Sequence, residues 1–260
     1  MRRAVAALLL GLVVVGSGPA GAASPTGSFS GEVTVLAASS LTDAFTAMSK
    51  RFERKYPDAQ VALSFNSSAM LATQIEQGAP ADVIATADEE TMQRLVSGGQ
   101  VPPDSFSGTE GETPYQIFAR NRLAIAVQPG NPEHIRSLAD TLEPGLTVVL
   151  CAPEVPCGKL AATAYGKAGL ETPTGPTGLN AKDTLAKVEL GEADAAIVYV
   201  TDVKAAADDV DSVRIPKDEN VIARYPIAPI VGSGAGAKAF IQFVDTGVGR
   251  RILRRYGFLP

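Results

Sequence analysis

The chain has no tryptophan, one histidine and two cysteines among its 260 residues. Without a second imidazole, a Ser-His-Asp arrangement has only His134 to draw on. That residue sits in NPEHIRS, a polar turn that reads as exposed. No GxSxG, no GxxxxGK[ST] and no cluster at metal-ligand spacing occurs, so the usual signals of hydrolases, nucleotide-binding enzymes and metalloenzymes are missing. The glycine-rich GSGAGAKAF (232–240) is too short and too late to be a dinucleotide fingerprint. Positive charge is also scarce: 23 Lys and Arg stand against 28 Asp and Glu. An acidic surface suits solubility and opposes a nucleic-acid partner, whose phosphates need a basic face. Beyond the first residues, no stretch approaches the roughly 18 consecutive apolar residues of a membrane span.

Those first residues, MRRAVAALLLGLVVVGSGPAGAAS, join two arginines, a short apolar run and the small residues Ala20-Gly21-Ala22. The pattern reads as a secretory signal peptide over 1–23, cleaved near Ala22-Ala23, and predicts a soluble periplasmic or secreted protein. No cysteine follows the apolar run, so no lipid attachment point is expected. Loss of Arg2 and Arg3 leaves a mature charge of about −7 on about 237 residues, enough for one large domain or two ordinary ones.

Short apolar, β-branched runs alternate with helical patterns, which predicts an α/β fold with a largely parallel sheet. The runs are VTVLAA (33–38), VALSF (61–65), DVIATA (82–87), RLAIAV (122–127), TVVLCA (147–152), AAIVYV (195–200), SVRIP (212–216) and YPIAPIV (225–231). Leu41, Ala44, Phe45, Met48 and Phe52 fall at helical spacing before Pro57, and Leu71 with Ile75 marks a second helix ended near Gly78. Further helices are expected over 158–167 and 181–190, with two short ones in KAFIQFVDTGVGRRILRRYGF, whose arginines read as a solvated face. The stretches 101–114 and 171–178 read as connections.

The strand-to-helix junctions carry the functional signal. Ser40, Ser67-Ser68 and Asn180 each precede a helical pattern, and Ser40 and Asn180 have an aspartate three residues on, resembling capping boxes. A structural role alone would explain any one of them. Together they suggest more, because junctions at the carboxyl ends of parallel strands offer unpaired N–H groups at positive helix ends. Several converging would bind an anion without a formal positive charge. Lys159 could add one, although a solvated lysine is the simpler reading.

Cys151 and Cys157 lie in LCAPEVPCGK, and in a secreted chain a disulfide is their expected state. Closing so short a loop contributes roughly 2 to 2.5 kcal/mol on the chain-entropy model. It would also hold the strand-to-helix loop that presents the N–H groups.

The segments AASSLTDAF, SFNSSAMLATQIEQGAPADV, VPCG, GEADAAIVYVTD and RRILRRYGF, in this order, resemble the periplasmic molybdate-binding proteins of ABC importers for molybdate and tungstate. The resemblance runs from about Val33 to the end. It implies a two-lobed, type II periplasmic-binding fold with two chain crossings: one lobe of 30–117 plus 226–260, the other of 118–225. It implies a ligand set of Ser40 and Ser68, through hydroxyl and backbone N–H, the backbone N–H groups of Cys157 and Ala181, and the hydroxyl of Tyr199. Where this chain has Cys157 and Ala181 the family commonly has alanine and valine, a change that leaves backbone donors intact. The resemblance further implies no catalysis, no cofactor, and metal bound only as the molybdate oxyanion. It implies membrane permease and ATPase subunits as partners of a monomer. Sulfate or another tetrahedral oxyanion is the alternative ligand, and a hydrolase using a junction serine or an adhesive module are the alternative classes.

Overall fold

The computed structural model describes residues 29–106 and 113–259. The expected signal peptide (1–23), most of the lead-in and the centre of the 101–114 connection lie outside these residues.

In chain order the strands are β1 (Gly31–Ala38), β2 (Ala59–Asn66), β3 (Val83–Ala85), β4 (Gln116–Val127), β5 (Val148–Cys151), β6 (Thr177–Gly178), β7 (Ala195–Tyr199), β8 (Asp211–Arg214) and β9 (Ile222–Pro229). The helices are α1 (Thr42–Lys55), α2 (Ser68–Glu76), α3 (Glu89–Ser97), α4 (Pro156–Lys167), α5 (Ala181–Glu189), α6 (Val200–Ala205), α7 (Ala235–Asp245) and α8 (Gly247–Arg255). The strands form one sheet in the order β2-β1-β3-β9-β4-β7-β5-β6, with β8 on β4.

The sheet is mixed rather than largely parallel. β1 runs parallel to β2 and β3, and β5 parallel to β6 and β7. Between these two parallel groups, β9 and β4 pair antiparallel with each other and with β3, β7 and β8. The reason is topological: β4 and β9 carry the chain from one group to the other and back. From Gln116 to Arg122, β4 is bonded to β9, and from Leu123 to Val127 it is bonded to β7 and β8.

The inner parallel strands β3, β5 and β7 are fully buried apolar runs, as expected for strands covered on both faces, while β2 at the sheet edge alternates buried or half-buried residues with exposed ones. α1 buries Ala44, Phe45, Met48 and Phe52 against the sheet, the stripe its spacing predicts. Phe52 sits in an aromatic cluster, 4.7 Å from Tyr56 and edge-on to Phe240 and Phe243 of α7. These contacts fasten the last helices onto the first half of the molecule.

Several elements depart from the sequence reading, among them β4, which begins at Gln116 rather than at Arg122. α3 is an additional helix, capped by Asp88, whose carboxylate accepts from the Thr91 N–H. The run read as a strand to Val200 ends at Tyr199, and α6 follows directly. β6 falls within the stretch read as a connection.

Candidate functional site

The residues that end or follow β1, β2, β3, β5, β6 and β7 at their carboxyl ends close on a cavity of about 10 Å³. Its lining includes Ser39, Ser40, Ser67, Ser68, Cys157, Ala181 and Tyr199. All five residues expected to hold an oxyanion therefore reach one place, although they are spread from the first strand to the seventh. So small a cavity means that the opposed walls stand closed on each other. No lysine, arginine or carboxylate lines it.

Each residue is presented by its local structure. After β1 the chain makes a 3₁₀ turn, Ser39–Leu41, before α1 begins at Thr42. Ser40 is thus not a helix cap, and the capping box expected with Asp43 is absent. Instead Thr42 Oγ1 donates to the Ser39 carbonyl at 2.6 Å, tightening the turn, and Ser40 Oγ lies 2.9 Å from the Tyr225 hydroxyl. Ser67 is the cap of α2, its Oγ accepting from Met70 N–H at 3.3 Å, which leaves Ser68 as the first helical residue. Ser68 Oγ accepts from Ala87 N–H at 3.0 Å, so the proton of Ser68 is free to be donated elsewhere. Asn180 does cap α5, accepting from Asp183 N–H at 3.0 Å, and Ala181 is that helix's first residue.

Cys157 occupies the second position of α4, behind Pro156. Proline suits a first helical position because no N–H is needed there. The Cys151–Cys157 disulfide is present and ties the end of β5 to this first turn. Next to it, a Cβ on Gly158 would come within 2.2 Å of the Ala152 carbonyl oxygen, so the turn is built too closely for any side chain there.

Tyr199 is fully buried and its hydroxyl has no hydrogen-bond partner in the protein. Burial, then the nearby Tyr225, Asp88 and Asp202, push its pKa well above the ordinary tyrosine value. It stays a neutral hydroxyl, and hence a donor, throughout the physiological range. A buried donor without a partner is costly, and such a group aimed into a ligand cavity is satisfied when a ligand accepts from it. Asp202 lies just behind, fully buried, with one carboxylate oxygen accepting from Tyr199 N–H at 3.2 Å and the other unpartnered.

Lys159 is not simply solvated: its ammonium pairs with Glu90 at 2.7 Å. Lys182 pairs in the same way with Asp43 at 2.9 Å. Both pairs join a helix of the β5–β7 half, α4 or α5, to one of the β1–β3 half, α3 or α1, beside the cavity. His134 is exposed in a turn away from the site, as its context predicts. Among the described residues no group of three or more His, Cys, Asp or Glu could hold a metal ion, and no helix is long and apolar enough to cross a membrane. Tyr225 and Asn121, buried beneath Ser40, were not among the residues the sequence singled out.

The profile of the family described as bacterial extracellular solute-binding protein matches residues 33–259. This chain belongs to that family. The solute-binding protein is 38% identical over 257 residues to the molybdate-binding protein ModA of Mycobacterium tuberculosis, a match covering 97% of this chain and 94% of the relative. Among solved structures, the periplasmic molybdate-binding protein of Azotobacter vinelandii matches with a TM-score of 0.73 at 17% identity, covering 88% of this chain and 99% of the other. The sulfate-binding protein SubI of M. tuberculosis matches with a TM-score of 0.76 at 22% identity, covering 88% and 86%. The solute-binding protein thus has the two-lobed periplasmic-binding fold, with β4 and β9 as its crossings. That fold serves receptors of more than one oxyanion, so the ligand has to be argued from the site.

Proposed function

We propose that this chain captures molybdate, and tungstate with it, between its two lobes and delivers the ion to the permease and ATPase subunits of an ABC importer. The lobes would be 30–117 plus 226–260 and 118–225, a division supported by the change of β4 neighbours near Leu123. The carrying observation is the convergence of Ser40, Ser68, Cys157, Ala181 and Tyr199 on one cavity without a charged side chain. First-turn N–H groups donate and each hydroxyl has a hydrogen to give, while a fully deprotonated oxyanion only accepts, so each contact can be a charge-assisted hydrogen bond. Monohydrogen phosphate carries a proton, and the site has no carboxylate to accept it. No base stands beside the serines, which supports binding without catalysis, and the ion is a transported ligand rather than a cofactor. The family and the leader-like N-terminus support an extracytoplasmic location.

Molybdate and sulfate differ in bond length, and cavity size decides between them. The likeness over nearly the whole chain to a molybdate-binding relative favours the larger ion. Titration calorimetry with molybdate, tungstate, sulfate and phosphate is expected to give tight binding of the first two only. Sulfate binding as tightly as molybdate would overturn the assignment.

Closure brings both lobes' donors to one ion, so the ligand stabilises the closed form. The Lys182–Asp43 and Lys159–Glu90 pairs form only when the lobes are together. Both are partly solvated, and such pairs contribute little each. Asp43→Asn is therefore expected to speed ligand dissociation by about two- to fivefold at low ionic strength. The difference should shrink as salt screens the pair, and stopped-flow dissociation at low and high salt checks it.

A further inference from the structure

Beneath Ser40 lies a buried chain of hydrogen bonds whose direction can be read. Asn121 Oδ1 accepts from Arg122 N–H at 2.9 Å, which identifies the oxygen of that amide and turns its nitrogen the other way. The nitrogen donates to Thr201 Oγ1 at 2.8 Å and, with its second hydrogen, to the Tyr225 hydroxyl oxygen at 3.4 Å. Tyr225 therefore receives a proton from Asn121 and has its own to give. On that side Ser40 Oγ, at 2.9 Å, is the hydroxyl placed to accept it; the Tyr199 hydroxyl stands nearby but outside hydrogen-bond geometry. Ser40, accepting from Tyr225, is left with its hydrogen pointing onward, and the cavity is where Ser40 is exposed to anything else.

All four residues are buried: Tyr225 is 0% exposed, Asn121 1%, Thr201 4% and Ser40 6%. Water cannot readily reorganise the chain, and a buried network of this kind holds its polarity. Burial raises the Tyr225 pKa, so the phenol keeps its proton at physiological pH. Asn121 stands on β4 and Tyr225 on β9, the two crossing strands, so the network is anchored where the lobes join.

We propose that Tyr225 and Asn121 are positioning residues that commit the Ser40 hydroxyl to donating, and that this commitment is one source of the site's discrimination against protonated oxyanions. The inference rests on the oxyanion-receptor reading above. A free serine hydroxyl can accept as well as donate and could take the proton of monohydrogen phosphate. With Tyr225 donating into it, Ser40 loses that option, and a protonated ligand meets a donor facing a donor. An ion without protons loses nothing by the arrangement.

The test uses the mature full-length chain as wild type, Tyr225→Phe and Asn121→Ala. Dissociation constants for molybdate and sulfate come from direct titration, and those for phosphate from competition. Tyr225→Phe keeps the ring and its packing and removes only the hydroxyl. It is expected to weaken molybdate by about tenfold while leaving phosphate little changed, so the molybdate-to-phosphate ratio falls about tenfold. Asn121→Ala should move the ratio in the same direction, and in a Ser40→Ala background Tyr225→Phe should no longer alter it. Parallel loss of affinity for molybdate and phosphate, or an undiminished effect of Tyr225→Phe without the Ser40 hydroxyl, would overturn the proposal. A wild type that binds sulfate and not molybdate would sink the molybdate assignment instead, and the ratio would then be read for sulfate against phosphate.

Discussion

Ser68→Ala is expected to weaken molybdate binding by about ten- to a hundredfold, while Ser39→Ala, on the same cavity wall, changes it by less than about threefold. Ser68 Oγ already accepts from Ala87 N–H, and that bond fixes the oxygen and directs the remaining proton toward the ligand. Its loss removes one charge-assisted hydrogen bond, which contributes roughly 1.5 to 3 kcal/mol. It also leaves Ala87 N–H buried without its acceptor, so the variant should lose some stability as well. Thermal unfolding without ligand separates the two effects, because a stability loss alone leaves the affinity of the folded fraction intact. At Ser39 the engaged atom is the backbone carbonyl, which accepts from Thr42 Oγ1 and survives the substitution. Ser40→Ala should behave like Ser68→Ala. Equal effects at Ser39 and Ser40 would mean that the serines have been assigned in the wrong register.

The site was legible in the sequence where a donor is set by local chain geometry. Asn180 and Ser67 are caps by their spacing alone, and a helix start after a buried strand predicts where its N–H groups face. Ser40 misled for a local reason: the same Ser-Leu-Thr-Asp letters that suggest a cap also permit a 3₁₀ turn held by Thr42, which starts α1 one residue later, at Thr42. α3 escaped notice because only Met92 and Leu95 mark its apolar face, although Asp88 before Glu89-Glu90 is a readable start. β4 looked short because QIFARNR is polar. Its polar residues are there because the strand crosses between lobes, where Asn121 is buried to bond Tyr225 and Thr201. Those partners lie 80 and 104 residues further along the chain. Periodicity carries no information over such distances, and so the layer beneath the site was invisible until the chain was folded.

A second large effect is expected at Asp202. Burial raises its pKa from 3.8 to about 7, against the attraction of Lys182 and the hydrogen bond from Tyr199 N–H, and with added repulsion from Asp43 and Glu189. The folded chain thus holds this proton far more tightly than the unfolded chain does. Stability from this group is full below about pH 4, declines as the pH climbs toward 7 and is flat above, where both states have lost the proton. The interval corresponds to roughly 4 kcal/mol at most. Asp202→Asn keeps an acceptor for Tyr199 N–H and removes the charge, so chemical denaturation at pH 8 should find the variant more stable, with a flatter profile between pH 5 and 7. Binding should follow the same sign. The Asp202 charge is felt at the Tyr199 hydroxyl, so a dianion accepting from that hydroxyl would feel it too. Ligand binding should then take up a proton near neutral pH and weaken as the pH rises from 6 to 8. In Asp202→Asn that weakening should vanish. A variant whose stability and affinity keep the wild-type pH profile would show that Asp202 is already ionised in the folded protein, with its unpartnered oxygen reached by solvent.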